Sequence, residues 1–348
     1  MKATVYHGAR DVRLENVPDP RLREATDAIV RITHAAICGS DLWFYRGVTQ
    51  WEPGDRTGHE FIGIIEEVGS GVSSVRRGDR VIAPFAISDG SCEFCAAGLQ
   101  TSCRHGQSWG DDANGGQAEA VRVPLADGTL VRMPEAFAAD NRKLAGALSL
   151  TDVMSTGHHG VVSAAALTGG TVAVIGDGAV GLCAVLAARR LEVRHIISIG
   201  HNGRRLKLAQ EFGATQTFNS REPDIAEKIV EATGGGASSV VEAVGGQNSM
   251  DLALQIVRDG GTVSFVGVPH GVERVDVRRL FNGNIALRGS LAPARAYIPQ
   301  LLPDVESGSL DPSPIFDWHV PLEDVAEGYA AMDRRAAIKV LLEVSSSS

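Results

Sequence analysis

A glycine-rich turn between an apolar strand pattern and an apolar helix pattern constrains this chain more than any other feature. The strand pattern 171–175 runs directly into Gly-Asp-Gly-Ala-Val-Gly, which has the form G-x-G-x-x-G. The first glycine permits the tight turn, the second lets the backbone approach a pyrophosphate, and the third lets the helix pack closely on the strand. The helix N-terminus adds N–H donors and a positive dipole. The motif predicts a dinucleotide site formed by Gly176, Gly178, Ala179, Val180 and Gly181.

Strand and helix patterns alternate on both sides of this turn. After the first strand at 171–175 come four helix patterns, at 179–191, 204–212, 225–233 and 248–257, and strand patterns between and after them, the last at 262–266. Such alternation is typical of a parallel sheet covered by helices on both faces. We therefore expect an α/β fold whose Rossmann domain, a doubly wound parallel sheet, covers 153–289.

The chain before this region has a different pattern. Up to about residue 135 it consists of short β-like runs separated by glycine and proline, which predicts a β-rich, barrel-like domain over 1–152. After residue 289, helix patterns at 296–305 and 322–334 lie among several prolines. We expect this tail, 290–348, to return and pack on the first domain.

The charge and hydropathy of the chain favour small-molecule partners. Acidic residues outnumber basic ones, 42 to 33, for a formal net charge of -9, so no basic footprint for nucleic acid or anionic lipid is present. The longest apolar run, 179–188, is about half of a membrane span, and no signal-peptide pattern opens the chain.

Five cysteines, three of them between 92 and 103, indicate metal or redox chemistry in a reducing compartment. We expect a cytoplasmic protein.

The strand after the glycine turn bears on the choice of cofactor. About 20 residues beyond the last glycine, where NAD-binding domains usually carry Asp or Glu for the ribose 2′-hydroxyl, this chain has Gly200. His201, Arg204 and Arg205 follow, and such side chains can pair with a 2′-phosphate. This pattern predicts a preference for NADP(H), with Gly200, His201 and Arg205 at the phosphate. One or both arginines also fit a solvated first helical turn.

Two short motifs in the first domain carry potential metal ligands. Cys38-Gly39-Ser40-Asp41 follows one strand pattern, and Gly58-His59-Glu60 opens a longer pattern that continues through Gly63 and Gly69. A lone cysteine or histidine is more often structural than ligating. The longer pattern, however, resembles the zinc signature of the zinc-dependent alcohol dehydrogenases of the medium-chain dehydrogenase/reductase superfamily. The resemblance spans nearly the whole chain.

The resemblance implies a GroES-like β-barrel catalytic domain, built from both ends of the chain, beside the Rossmann domain. It implies a catalytic zinc held by Cys38, His59 and Asp152, with one position open as catalysis requires. Asp41 matches the carboxylate that orients the histidine, and Glu60 lies next to the site. Ser40 matches the hydroxyl that contacts the substrate oxygen. Many relatives have a histidine three residues after this serine, where this chain has Trp43, so its proton route differs.

The cysteine cluster resembles the structural-zinc lobe of the same family, with one departure. The family spacing C-x2-C-x2-C-x7-C, read backward from the last cysteine, falls on Cys103, Cys95, Cys92 and Asp89. A carboxylate can ligate zinc, although it binds this borderline-soft ion less well than a thiolate does. A second zinc at these four residues is therefore predicted, with an empty lobe of reduced thiols as the alternative.

The remaining expectations concern substrate and assembly. Aromatic residues near the motifs suit a pocket for an apolar or aromatic ketone, formed by Trp43, Trp51, Phe85 and Trp109. Val266, Val268 and Leu291 match family positions beside the nicotinamide. These features favour a zinc-dependent reductase of ketones or aldehydes. A polyol, sugar or amino-alcohol dehydrogenase is the alternative within the superfamily, and a non-catalytic, crystallin-like NADPH-binding protein is the alternative outside it. Family members are usually homodimers or homotetramers.

Overall fold

The computed structural model describes residues 1–49, 51–110, 115–166, 168–289 and 291–344. The chain divides into two compact units, Met1–Asp152 together with Pro293–Ser348, and Val153–Ala292. Within the described ranges, no helix combines the length and apolar character needed to cross a membrane.

The first unit is rich in strands and contains both ends of the chain. Its strands are β1 (Lys2–Gly8), β2 (Asp11–Asn16), β3 (Ala28–Ile37), β4 (Glu60–Val68), β5 (Arg80–Ala83), β6 (Ala86–Ile87), β7 (Gln107–Ser108), β8 (Ala120–Val123), β9 (Val131–Arg132), β16 (Phe316–Pro321) and β17 (Lys339–Glu343). Its helices are α1 (Asp41–Tyr45), α2 (Glu93–Ala96), α3 (Ala126–Thr129), α4 (Asn141–Ser149), α11 (Ala294–Ser307) and α12 (Val325–Asp333).

One sheet connects the beginning, middle and end of the first unit. Its strand order is β16-β17-β3-β4-β5-β9, and β8 also pairs with β3. The long central strands β3 and β4 are antiparallel, with Ala36 opposite Glu60. On the other side of β3, the antiparallel strand β17 places Val340 opposite Ile37. The start of β4 and the start of β17 therefore both meet the carboxyl end of β3.

The second unit is a parallel sheet with helices. Its strands are β10 (Thr171–Ile175), β11 (His195–Gly200), β12 (Gln216–Asn219), β13 (Ala237–Glu242), β14 (Val257–Phe265) and β15 (Ala286–Gly289). Its helices are α5 (Val153–Ser163), α6 (Ala179–Arg190), α7 (Gly203–Phe212), α8 (Ile225–Ala232), α9 (Gln247–Ile256) and α10 (Val277–Gly283). The strand order is β12-β11-β10-β13-β14-β15, with all pairs parallel. This is the 3-2-1-4-5-6 order of the Rossmann fold.

The predicted fold class is confirmed: a β-rich domain accompanies a doubly wound parallel sheet. Buried residues such as Val174, Val240 and Val263 form the middle of the parallel sheet, as continuous apolar runs predict. In sequence, the second compact unit ends at Ala292 and the first resumes at Pro293. Strand β15, which pairs with β14 up to Gly289, is the last strand of the second unit.

Candidate active site

The paired ends of β3 and β4 bring two predicted ligands together. Cys38 follows the last residue of β3, and His59 precedes the first residue of β4. Because these strands are antiparallel neighbours, the two residues lie at the same edge of the sheet. Asp152 reaches this edge from the segment after α4, where the N–H of Phe85 donates to the carbonyl of Thr151 at 2.9 Å.

The side chains of Cys38, His59, Glu60 and Asp152 form one cluster. Each offers a ligand atom, and these atoms all lie within 4.8 Å of one another. The Oδ2 atom of Asp152 lies 3.2 Å from Sγ of Cys38 and 3.3 Å from Nε2 of His59. A thiol, an imidazole and carboxylates form a donor set that suits zinc. The structure thus unites residues that are more than a hundred positions apart in the sequence.

The electrostatics of the cluster favour a bound cation. Burial, and then the nearby Asp152 and Glu60 carboxylates, raise the pKa of the Cys38 thiol to about 12. Burial lowers the pKa of His59, but the Asp41 carboxylate and Cys38 outweigh burial and raise this pKa well above its ordinary value. A positive ion would stabilise the thiolate and carry charge that protons otherwise supply.

Glu60 contributes an observation that fits a metal ion. Its Oε1 atom lies 2.7 Å from Nζ of Lys339, which also donates to the carbonyl of Ile37 at 3.3 Å. Its buried Oε2 atom has no hydrogen-bond partner. Burial raises the pKa of Glu60, and Lys339 partly opposes that change. An unpartnered buried carboxylate oxygen among thiol and imidazole donors is costly without a cation, so the residues present fit a zinc ion here.

A buried network behind His59 holds the imidazole in place. Asp41 Oδ1 lies 3.3 Å from Nδ1 of His59, and Asp41 Oδ2 accepts the N–H of Cys38 at 3.0 Å. Gln117 donates from Nε2 to the same Oδ2 at 3.4 Å. Its Oε1 accepts hydrogen bonds from the hydroxyl groups of Thr57 and Tyr329 at 2.5 and 2.9 Å. Sequence reasoning identified Asp41 but missed Gln117 and Tyr329, which no motif connects to the cluster.

Some of the predicted substrate-contacting residues lie next to the candidate ligands in the first unit, and others pack against aromatic rings. Ser40 precedes α1 at the N-cap position without capping the helix through its side chain, and its carbonyl accepts the N–H of Trp43 at 3.1 Å. Phe85 adjoins Thr151, next to Asp152. By contrast, Trp51 stacks on Phe44, with ring centroids 4.5 Å apart. Trp109 contacts Phe61 edge-on, with centroids 4.8 Å apart, and its Nε1 donates to the carbonyl of Pro84. Trp51 and Trp109 thus also pack against the core of the first unit.

The cysteine lobe forms a second cluster in the first unit. Ligand atoms of Asp89, Cys92, Cys95 and Cys103 all lie within 4.8 Å of one another. The Oδ1 atom of Asp89 accepts the N–H groups of Ser91 and Cys92, and these bonds hold the pKa of Asp89 well below its ordinary value. Its Oδ2 atom lies 2.7 Å from Nδ1 of His105. The predicted spacing therefore places the aspartate where the fourth thiolate would be, as an anion fixed by its neighbours.

The glycine turn of the second unit has the geometry that its sequence predicts. Gly176 has a φ of +123°, in the region that favours glycine. A Cβ on Gly181 would lie 2.0 Å from the carbonyl oxygen of Gly176, so only glycine allows α6 to approach β10 this closely. A Cβ on Gly178 would meet nothing within 4 Å, which leaves open space beside the N-terminus of α6. Ala179 and Val180 begin this helix. The residues present fit a bound pyrophosphate.

The surroundings of Gly200 differ from the sequence-based expectation. Oδ2 of Asp177, the residue between the first two glycines, accepts the N–H groups of His201 and Asn202 at 2.8 and 2.9 Å. Nη1 of Arg205 lies 3.9 Å from Oδ1 of the same carboxylate. Although β11 ends in Gly200, a carboxylate does lie at this strand end, because Asp177 supplies one from the glycine turn.

Apolar side chains are exposed beyond the carboxyl ends of three neighbouring strands of the second unit. Val266 and Val268 follow β14, and Leu291 follows β15. Their place beside the nicotinamide stays a prediction. Val244, which sequence reasoning missed, follows β13. Val244, Val268 and Leu291 are 51%, 41% and 61% exposed. This edge is where ligands of doubly wound sheets bind. Ser290, whose position the family resemblance also implies beside the nicotinamide, lies outside the described residues.

Comparison with known proteins connects both units with one family. Residues 24–135 match the family described as alcohol dehydrogenase GroES-like domain, and residues 179–307 match zinc-binding dehydrogenase. Zinc-type alcohol dehydrogenase B of Aspergillus flavus is 32% identical over 99% of this chain and 81% of its own length.

Two solved structures extend the likeness to the fold. Alcohol dehydrogenase TADH from Thermus sp. ATN1 has a TM-score of 0.91 and 35% identity, covering 99% of this chain and 100% of its own. A zinc-binding dehydrogenase of Sinorhizobium meliloti, solved with NADP, has a TM-score of 0.86 and 27% identity, with 99% of each chain covered. With these matches and the cluster at Cys38, the chain belongs to the zinc-dependent alcohol dehydrogenase family of the medium-chain dehydrogenase/reductase superfamily.

Proposed function

We propose that this protein is a zinc-dependent oxidoreductase that transfers hydride between a nicotinamide dinucleotide and an alcohol or its carbonyl product. The observation that carries the proposal is the convergence of Cys38, His59, Glu60 and Asp152 on one edge of the β3–β4 sheet. Zinc bound there would supply a Lewis acid for the substrate oxygen, and the dinucleotide would carry the hydride.

The residues of this chain have distinct proposed roles at that site. Cys38, His59 and Asp152 would hold the metal, and Asp41 keeps the His59 imidazole oriented through Nδ1. Ser40 would contact the substrate oxygen and pass its proton. Trp43 has no group that could continue a proton relay in the way a histidine does, so the proton would have to leave Ser40 by another route, such as water.

We propose a ketone or an aldehyde with an apolar or aromatic group as the substrate. Trp43, close to Ser40, and Phe85, adjoining Thr151, are half-buried aromatic residues and support this proposal. The assignment of Trp51 and Trp109 to the pocket stays a prediction. So do cytoplasmic location, with which five free cysteines agree, and assembly as a homodimer or homotetramer.

The cofactor class has support from the open space at Gly178 and from the NADP in the Sinorhizobium meliloti relative. The preference for NADP(H) over NAD(H), which Gly200 predicts, is a more specific proposal. The carboxylate of Asp177 argues against it, because this carboxylate lies where the 2′-phosphate of NADP(H) would bind.

The test measures the initial rate of NADPH and NADH oxidation with an aryl ketone, before and after metal removal by a chelator, and again after zinc addition. A rate that disappears with the metal and returns with zinc supports the proposal. A rate unchanged after verified metal loss would contradict it. Bound cofactor with no turnover, on this ketone or on a panel of polar alcohols, would favour a binding protein.

A further inference from the structure

Gly200 has a packing explanation that is independent of the cofactor. A Cβ at this position would lie 2.5 Å from Cβ of Asp177 and 2.8 Å from its Oδ2. Contacts this short do not occur, so any larger residue at the end of β11 would displace the carboxylate of Asp177. The glycine therefore accommodates Asp177 and is not by itself a sign of a 2′-phosphate site.

The groups predicted to bind a 2′-phosphate already converge on this carboxylate. The backbone N–H groups of His201 and Asn202 both donate to Oδ2. The ring Nδ1 of His201 lies 4.0 Å from the same oxygen. Arg205 is only 6% exposed and has its Nη1 3.5 Å from the carbonyl and 3.9 Å from the carboxylate of Asp177. These donors therefore stabilise an anion that belongs to the protein.

Arg204 is the most exposed of the three predicted side chains, His201, Arg204 and Arg205. It is exposed in the first turn of α7, where water and salt screen its attraction for a phosphate. Asp177, by contrast, is 4% exposed, so its charge acts through a medium that screens little. A phosphate brought to the end of β11 would meet this fixed negative charge.

We propose that Asp177 determines the choice of cofactor: its carboxylate disfavours the 2′-phosphate at the end of β11, so the protein binds NADH more tightly than NADPH. The usual acidic residue at the end of the second strand is replaced by one from the glycine turn, and Gly200 makes room for it. The inference rests on the proposed use of a nicotinamide dinucleotide and reverses the preference predicted from sequence.

The test measures the dissociation constants of NADH and NADPH by fluorescence titration, without substrate, for the wild type and Asp177→Asn. The wild type is expected to bind NADH at least about tenfold more tightly, because like charges brought together are costly. Asp177→Asn keeps an oxygen for the two N–H groups but removes the charge. It should tighten NADPH binding by about tenfold and change NADH binding little.

The matched control is Glu242→Gln. Glu242 is also buried at the end of a strand, and its Oε1 accepts two backbone N–H groups, those of Val244 and Gly245, at 2.8 Å each. This variant should change the dissociation constants of both cofactors by the same factor. A wild type that prefers NADPH, or an Asp177→Asn ratio equal to that of the wild type, would overturn the inference.

Two further readouts keep the test decisive. If Asp177→Asn does not fold, the wild-type ratio decides alone, and a preference for NADPH overturns the inference. If neither dinucleotide binds the folded wild type, the proposed function fails together with the inference. If both bind with equal constants, only the inference fails.

Discussion

The ammonium group of Lys339 lies 2.7 Å from Oε1 of Glu60, and the two side chains are 1% and 0% exposed. The lysine belongs to the last strand, β17, and the glutamate opens β4. Burial lowers the pKa of Lys339, but the effects of Glu60, Cys38 and Asp152 outweigh burial and raise this pKa above its ordinary value. The lysine therefore stays charged. The pair orients Glu60 so that its other oxygen, Oε2, is left unpartnered.

Replacing Lys339 with methionine should destabilise the protein by about 3–5 kcal/mol, because it leaves a buried carboxylate without its counter-charge. Urea unfolding of the zinc-free protein measures this. The double variant Lys339→Met/Glu60→Leu removes both charges and should recover most of the loss. A loss below about 1 kcal/mol in the single variant would show that the pair matters little for stability.

Replacing Asp152 with alanine should abolish turnover while cofactor binding is retained, because the proposed metal loses a ligand in the first unit and the glycine turn lies in the second. We expect the rate to fall at least about a hundredfold. Zinc content and cofactor titration should be measured on the same samples. Asp19→Ala, at an exposed carboxylate paired with the N-terminus, is the control. Full activity with full zinc in Asp152→Ala would contradict the assignment.

Replacing Tyr329 with phenylalanine should weaken zinc binding by about tenfold to a hundredfold, as changes behind a ligand commonly do. Burial raises the pKa of Tyr329 well above its ordinary value, so its hydroxyl remains a donor to Gln117. Without it, Gln117 loses one of the two bonds on Oε1 that fix it against Asp41. Competition with a chromophoric chelator measures the affinity. Tyr297→Phe, elsewhere in the same unit, serves as the control, and equal affinities in both variants would refute the network's role.

Substitutions of Asp89 should change the zinc content of the cysteine lobe and leave the zinc at the Cys38 cluster in place. We expect two zinc ions per chain in the wild type and one in Asp89→Ala. Asp89→Cys should retain two and lose the second more slowly, because a thiolate binds this ion better than a carboxylate does. Metal analysis after timed dialysis against a chelator provides the measurement. One zinc per chain in the wild type would mean that the lobe holds reduced thiols.

Short stretches of sequence predicted most of the features that depend only on neighbouring residues. The strand at Thr171–Ile175, the glycine turn and the alternation after it follow from periodicity within short windows, and the Cys38 and His59 motifs lie at strand ends that sequence reasoning located. The ligand cluster could be predicted because the family resemblance connected its distant members.

The contacts that sequence reasoning missed depend on pairing between distant segments. Lys339 reaches Glu60 because β17 adds to β3, and nothing local to either residue indicates this. Gln117 looks like an ordinary polar residue until its burial and the four hydrogen bonds of its side chain are known. Asp177 was visible as a variable position of the glycine motif, but only the direction of its side chain shows where its charge lies.

The pairing of β17 with β3 also has a consequence for biosynthesis. The segments that carry Cys38, His59 and Asp152 leave the ribosome well before Lys339 is made, so during translation Glu60 stands beside them without its ammonium partner. A chain that stopped before Lys339 would leave the carboxyl end of β3 without its neighbour β17 and Glu60 without its ammonium partner at the proposed metal site. Such products would be substrates for chaperones and proteases.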